Sequence, residues 1–125
     1  MTRQAWLIES DPLFRAFLEQ ELEGRQWDVM RAEDGIQAME QLGFAPEGSV
    51  ILLGASLALV SSMHILRAIR DDERLKKAEV FYLSNRFDPA IDYAAKGKAA
   101  RVVYKPIDFA SLVAQMEGVA RRTKP

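Results

Sequence analysis

Short apolar runs of β-forming residues alternate along this chain with longer segments of helical period, and this alternation restricts the fold more than any other feature. Runs that are apolar throughout are typical of parallel strands buried on both faces, and right-handed crossovers then place helices on either side of the sheet. The pattern therefore predicts a doubly wound α/β fold, with a five-stranded parallel sheet and helices on both faces. The five runs lie at residues 5–8, 27–30, 50–53, 80–83 and 102–104.

Capping residues and apolar periodicity predict the helices between these runs. Asp11 with Pro12, and also Asp108, are typical of helix starts, because a short acceptor side chain caps free N–H groups. Gly24 and Gly97 are typical of helix ends. The positions expected to form the buried stripes are Phe14, Phe17, Leu18 and Leu22, then Ala38, Met39 and Leu42 in a helix opened by Gly35, then Ile65, Leu66 and Ile69, and last Phe109, Leu112, Val113, Met116 and Val119.

Composition excludes several classes of protein. The chain has 125 residues, 49% of them hydrophobic, and no cysteine, which argues against a disordered chain, a disulfide scaffold and a zinc-thiolate site. Its 17 basic and 18 acidic residues give a net charge of -1, so we expect no binding to nucleic acid or to an anionic membrane. The longest apolar stretch, at 50–60, is too short to cross a membrane, and no signal peptide is readable. We expect a cytoplasmic protein with one domain over residues 1–120. The polar, basic tail over 121–125 is either a solvated helix end, which we favour, or the start of a linker.

Polar side chains follow three of the predicted strands, at the carboxyl ends where a parallel sheet carries its chemistry. Glu9 follows the first run, Ser84 the fourth and Lys105 the fifth. An acid, a hydroxyl and a lysine at one edge suit phosphoryl transfer, in which carboxylates hold Mg²⁺ while donors stabilise phosphoryl oxygens.

Four short motifs follow one another along the chain: Glu9-Ser10-Asp11-Pro12, Asp34-Gly35, Ser84 and Lys105-Pro106. In their order and spacing they resemble the receiver domains of two-component response regulators, and the resemblance spans nearly the whole chain. It implies the flavodoxin-like strand order 2-1-3-4-5 and a role in bacterial signal transduction.

The departures from the receiver pattern concern phosphorylation. By the resemblance, Gly54 stands at the phosphoacceptor aspartate and Ser10 at the second Mg²⁺-binding acid, while Glu9, Ser84 and Lys105 keep supporting residue types. We therefore interpret the chain as a degenerate receiver that is not an enzyme, with no catalytic residue, metal or cofactor. Glu9 and Lys105 are expected to form an ion pair, because an unpaired ammonium at a desolvated strand end costs on the order of several kcal/mol.

The predicted role is phosphorylation-independent contact with a protein partner, or with further domains of a longer chain. The switch-aromatic position holds Val102, and Tyr104 follows two positions later on the same strand face, where we favour a packing role with its hydroxyl satisfied. By the resemblance, the partner surface lies on the fourth helix, fifth strand and fifth helix. Its candidate residues are Asp92, Tyr93, Lys96, Arg101, Val103 and Gln115.

Two alternatives stay open: a small-ligand sensor whose emptied pocket holds a planar or apolar molecule, and an active receiver with its phosphoacceptor in another register. The apolar loop, residues 57–60, either fills that pocket, which we favour, or forms an exposed partner-binding patch. Serine catalysis is disfavoured, because the single histidine, His64, lies on a predicted helix as a solvated residue. Trp6 and Trp27 are expected in the core.

Overall fold

The structure is a computed structural model, and it describes residues 3–122. Five parallel strands form one sheet in the order 2-1-3-4-5, which confirms the predicted fold class and strand order. The strands are β1 (Arg3–Ile8), β2 (Trp27–Ala32), β3 (Val50–Gly54), β4 (Glu79–Ser84) and β5 (Arg101–Tyr104), and the helices are α1 (Pro12–Gly24), α2 (Gly35–Leu42), α3 (Ser62–Asp71), α4 (Pro89–Gly97) and α5 (Phe109–Arg122).

Two apolar clusters, one on each face of the sheet, form the core. Side chains alternate along β3, so Ile51 and Leu53 pack on the face covered by α2, α3 and α4, whereas Leu52 packs on the face covered by α1 and α5. Every residue of β3 is buried, because helices cover both faces. Trp6 and Trp27 are also buried, as expected.

The capping predictions are confirmed. The side chain of Asp11 accepts hydrogen bonds from two backbone N–H groups in the first turn of α1, at 3.0 and 3.2 Å. Asp108 accepts one from the first turn of α5 at 3.3 Å. The helices α1 and α4 end at Gly24 and Gly97, the residues predicted to end them.

Two residues of the predicted buried stripes face solvent instead. Phe17 is 53% exposed and Met39 is 41% exposed. Each lies one residue, or about 100° of helix rotation, from a fully buried position, Leu18 in α1 and Ala38 in α2. The sheet covers a narrower strip of each helix than the apolar periodicity suggests, so these two predictions are wrong.

The last helix continues into the segment 121–125, as the favoured prediction of a helix end has it. The helix α5 runs to Arg122 and so includes the first two residues of that segment, while residues 123–125 lie outside the described residues. Within residues 3–122, no helix combines the length and the apolar character needed to span a bilayer.

Candidate functional site at the carboxyl edge of the sheet

The carboxyl ends of β1, β3, β4 and β5 meet at one edge of the sheet, which we call the mouth. Glu9 directly follows β1, Gly54 and Ser84 are the last residues of β3 and β4, and Lys105 directly follows β5. Ser10 lies exposed beside Glu9. The structure therefore brings together the five positions that the resemblance to receivers assigns to the phosphorylation site.

Glu9 and Lys105 form an ion pair, as predicted. The ammonium of Lys105 donates to Oε1 of Glu9 at 2.9 Å, and the backbone N–H of Asp11 donates to Oε2 at 2.9 Å. Glu9 is only 3% exposed. The Lys105 ammonium also lies 4.0 Å from the centroid of the Phe14 ring, a favourable cation–π distance. Both carboxylate oxygens thus have a donor, and the buried negative charge is balanced.

The carboxylate of Glu9 fills the space beside Gly54. A Cβ atom built on Gly54 would lie 2.8 Å from Oε1 of Glu9 and 3.1 Å from the carbonyl oxygen of Ile8. Both distances are shorter than ordinary van der Waals contacts, so a side chain at position 54 and the present position of Glu9 exclude each other. The expected filling by the apolar loop is not seen beside Gly54, where the nearest atoms belong to Glu9 and Ile8.

The apolar loop packs against the start of α2. Leu57 and Val60 are partly buried against the apolar cluster that α2, α3 and α4 cover, whereas Leu59 is 72% exposed. The N–H of Gly35 donates to the carbonyl of Ala58 at 2.9 Å. A Cβ atom on Gly35 would overlap the backbone of Val60. The loop can approach α2 this closely because position 35 has no side chain.

The serine hydroxyls at the mouth bond to backbone carbonyls. Ser10 Oγ donates to the carbonyl of Ser56 at 2.8 Å, and Ser84 Oγ donates to the carbonyl of Arg86 at 2.8 Å. His64 is exposed on α3 and bonds to neither hydroxyl. These contacts hold loops in place and give the hydroxyls no base to activate them.

The mouth does not fit the Mg²⁺ ion that the resemblance implies for receivers. Mg²⁺ takes oxygen ligands in near-octahedral geometry. Glu9 already has partners on both carboxylate oxygens, Gly54 has no side chain, and the Ser10 hydroxyl bonds elsewhere. Within the residues that the structure describes, no group of three or more acidic, histidine or cysteine side chains is placed to hold a metal.

Tyr104 links β5 to α4. Its hydroxyl donates a hydrogen bond to Oδ1 of Asp92, and the ammonium of Lys96 lies 3.1 Å from the other carboxylate oxygen. The hydrogen bond to Asp92 raises the pKa of Tyr104 to about 12, and the bonds from Tyr104 and Lys96 lower the pKa of Asp92. The ring of Phe87 packs edge-on, 5.8 Å from the Tyr104 ring, and Val102 packs against the same core face. The geometry agrees with a packing role in which the hydroxyl is satisfied.

Strand β5 divides the six candidate partner residues between the two faces of the sheet. Tyr93 is 83% exposed on α4, the helix that also carries the Asp92–Lys96 pair. Arg101 and Val103 turn to the opposite face of the sheet. There Nε of Arg101 lies 3.5 Å from Oε2 of Glu79, and Val103 packs against the core beneath α5. Gln115 is exposed on α5. Among the six candidates Tyr93 is the aromatic residue, and most of its surface is accessible.

A groove of about 450 Å³ opens between the ends of β3 and β4 and the start of α4. Tyr82 of β4 lines it, and burial raises the pKa of this residue. Tyr82 could not be recognised from the sequence, because a tyrosine in a β-forming run is typical of core packing. The one available signal is a hydroxyl within an otherwise apolar strand, two residues before Ser84.

No protein-family model matches the chain, and no curated protein is detectably similar to it in sequence. Solved structures do match. The chemotaxis response regulator CheY4 of Vibrio cholerae gives a TM-score of 0.85 at 18% identity, over 95% of this chain and 99% of that one. The receiver domain of the Francisella response regulator 1452 gives a TM-score of 0.88 at 17% identity, over 98% of this chain and 100% of that one. The chain has the receiver fold.

A third structure places the receiver fold within a longer chain. The response regulator DrrB of Thermotoga maritima gives a TM-score of 0.81 at 19% identity, over 99% of this chain and 55% of that one. This chain therefore corresponds to about half of DrrB. At these identities the likeness establishes the receiver fold, and function depends on the residues at the mouth.

Proposed function

We propose that the chain is a receiver-like domain of two-component signalling that has lost phosphoryl chemistry and acts by contact with proteins. The observation that carries this proposal is the Glu9–Lys105 pair, which occupies the space beside Gly54. Similar structures include a chemotaxis response regulator, which supports a signalling role for a chain with this fold.

The loss of phosphoryl chemistry follows from the groups at the mouth. An acyl phosphate forms on a carboxylate, and Gly54 has none. The carboxylate that reaches this space belongs to Glu9, and Lys105 and the N–H of Asp11 hold its two oxygens. Phosphoryl transfer to Glu9 would separate a pair whose acid is 3% exposed, without a second carboxylate to hold the metal.

A protein partner is supported by the surface of α4. Tyr93 is a large aromatic side chain that is 83% exposed, and aromatic residues are enriched where proteins bind one another. Lys96 lies one turn later and supplies a charge at the edge of this surface. A net charge of -1 gives no general attraction to nucleic acid.

Treatment with a phosphodonor tests the lost chemistry. We expect no added mass when the chain is incubated with acetyl phosphate and Mg²⁺ and then analysed by intact mass spectrometry. An added phosphoryl group that hydroxylamine removes would identify an acyl phosphate. That result would replace this proposal with an active receiver whose phosphoacceptor lies in another register.

Site-specific cross-linking tests the contact surface. A photoreactive residue in place of Tyr93 should cross-link to a protein in the cells that make the chain, and acetyl phosphate should not alter the yield. Phe17, 53% exposed on α1, is the matched position on a different surface. Cross-linking from position 17 alone would place the partner surface on α1 and contradict its assignment to α4.

A further inference from the structure

We propose that the groove between β3, β4 and α4 binds a small carboxylate with a compact planar body. The groove borders the mouth and shares Ser84 with it, but neither Glu9 nor Lys105 lines it. The proposal goes beyond the proposed signalling role, so the phosphodonor experiment and a binding experiment at the groove succeed or fail independently. Tyr82 inside the groove and Arg86 at its edge are the residues that would recognise the ligand.

Tyr82 has a buried side chain whose hydroxyl lacks a protein partner. The residue is 2% exposed, and its hydroxyl makes no hydrogen bond within the described part of the chain. Buried polar groups are generally paired, because an unpaired one loses its hydration without compensation. Within residues 3–120, two side-chain polar atoms are sealed from solvent and have no partner, Trp27 Nε1 and Arg74 Nε. The Tyr82 hydroxyl is not one of them, so it keeps access to the groove that this residue lines. It is therefore available to a ligand as donor or acceptor.

The edge of the groove favours an anion. Arg86 is exposed and forms no ion pair within the described residues, and the hydrogen bond from Ser84 to its carbonyl holds its backbone at the strand end. Asn85 adds an amide to the same lining. Asp88 is the acid in the lining, and one of its oxygens already caps α4 by accepting the N–H of Ala90 at 3.0 Å. The charge of Arg86, which has no ion-pair partner in the described residues, and the N–H groups of Arg86 and Asn85 are the donors that a carboxylate ligand would accept from.

The walls and size of the groove favour a compact planar body. Ala55 and Ile91 contribute apolar surface, and the volume of about 450 Å³ lies in the range of small-molecule sites. A planar ring between these walls would direct its carboxylate to Arg86. Ile91 belongs to α4, so a bound ligand would contact the helix that carries Tyr93.

Benzoate and phenylacetate are the probes for this site. Each is titrated into the ¹⁵N-labelled full chain, and backbone amide shifts are followed by NMR. We expect saturable shifts at the end of β4 and the start of α4, and affinity about tenfold lower for the neutral analogue benzamide. Absence of saturable shifts with both carboxylates, or equal affinity for benzamide and benzoate, would overturn the proposal.

Paired substitutions locate the binding groups. Tyr82→Phe and Arg86→Gln should each weaken benzoate binding about fivefold, the loss expected for one hydrogen bond. The matched controls Tyr93→Phe and Arg67→Gln alter exposed side chains outside the groove and should leave the affinity unchanged. Tyr82→Phe removes an unpartnered hydroxyl and nothing else, so the variant should fold. Unchanged affinity in Tyr82→Phe, or equal losses in all four variants, would contradict recognition by the groove.

Discussion

Lys105 neutralises a carboxylate that water hardly reaches. Its ammonium lies 2.9 Å from Glu9, which is 3% exposed. Removing one partner of a buried pair leaves the other charge desolvated and unbalanced. We therefore expect Lys105→Met to lower the free energy of unfolding by about 3 kcal/mol, as measured by urea denaturation.

Three further variants, one of them Glu9→Gln alone, isolate the charge interaction. Lys77→Met replaces an exposed lysine and should change stability little. Combining Glu9→Gln with Lys105→Met removes both charges at the mouth and should recover much of the stability lost in Lys105→Met alone. A double variant as unstable as the sum of its single variants would show that the two side chains are not coupled.

The Tyr104–Asp92 hydrogen bond needs a protonated phenol and an ionised carboxylate. The pKa of Tyr104 is raised from 10.0 to about 12, so the stability that the bond provides is fully present below pH 10 and is lost as the pH rises through about 12. The pKa of Asp92 is lowered from 3.8, so at the acid side the contribution is present above that pH and is lost as the pH falls through the lowered value. Asp92→Asn should therefore bring the pKa of Tyr104 back toward 10, measured by phenol absorbance.

The control for this titration is Lys96→Gln. It removes the cation that neighbours Asp92 and keeps the carboxylate that accepts the hydrogen bond from Tyr104. The phenol transition near pH 12 should persist in this variant. An unchanged phenol titration in Asp92→Asn would mean that another group sets the pKa of Tyr104.

The elements α2 and the apolar loop meet at a position that admits no side chain. A Cβ atom on Gly35 would lie 2.7 Å from the backbone nitrogen of Val60. Because backbone cannot swing aside as a flexible side chain can, we expect Gly35→Ala to lower the free energy of unfolding by about 2 kcal/mol, measured by denaturant titration.

Gly24→Ala is the matched control, at a glycine with open space around it. Nothing lies within 4 Å of a Cβ atom at the end of α1, and alanine restricts the unfolded chain. We expect this variant to be more stable than the parent by about 0.5 kcal/mol. Equal destabilisation by both substitutions would contradict a steric origin at Gly35.

The limits of most elements could be predicted because the groups that set them are local. Asp11 and Gly24 bound α1 in sequence and in structure alike, since a cap acts on the turn beside it. Phe17 and Met39 could not be placed, because their exposure depends on how wide a strip of each helix the sheet covers. Local chemistry determines where a helix begins and ends, and packing determines how much of it is buried.

At the mouth, too, one feature could be predicted from the sequence and another depends on packing. The Glu9–Lys105 pair could be predicted, because both residues follow parallel strands whose carboxyl ends meet at one edge. The position of the Glu9 carboxylate beside Gly54 could not, since it depends on a side-chain conformation that the strand pattern leaves free. The groove at Tyr82 depends in addition on where α4 packs.

In the molecule as a whole, the core that holds the receiver fold and the mouth use different residues. The fold depends on two apolar clusters that lie on the two faces of the sheet. Gly54, Ser10 and the Glu9–Lys105 pair occupy only the ends and loops of the strands. Substitutions there can alter metal binding without removing the core that holds the fold.

Adding carboxylates to the mouth should therefore create a metal site. Gly54→Asp combined with Ser10→Asp would give the mouth three acids with Glu9, and their repulsion should lower the Tm of the metal-free variant. Mg²⁺ would bind the folded state of this variant and not the unfolded state. A Mg²⁺ concentration of ten times the Kd should therefore raise the free energy of unfolding by about 1.4 kcal/mol, seen as a higher Tm. Gly54→Ala is the matched control, because its Cβ meets the same Glu9 oxygen at 2.8 Å and brings no charge. A Mg²⁺ effect of equal size in Gly54→Ala, or none in the double variant, would mean that two added carboxylates are not enough to make this mouth a metal site.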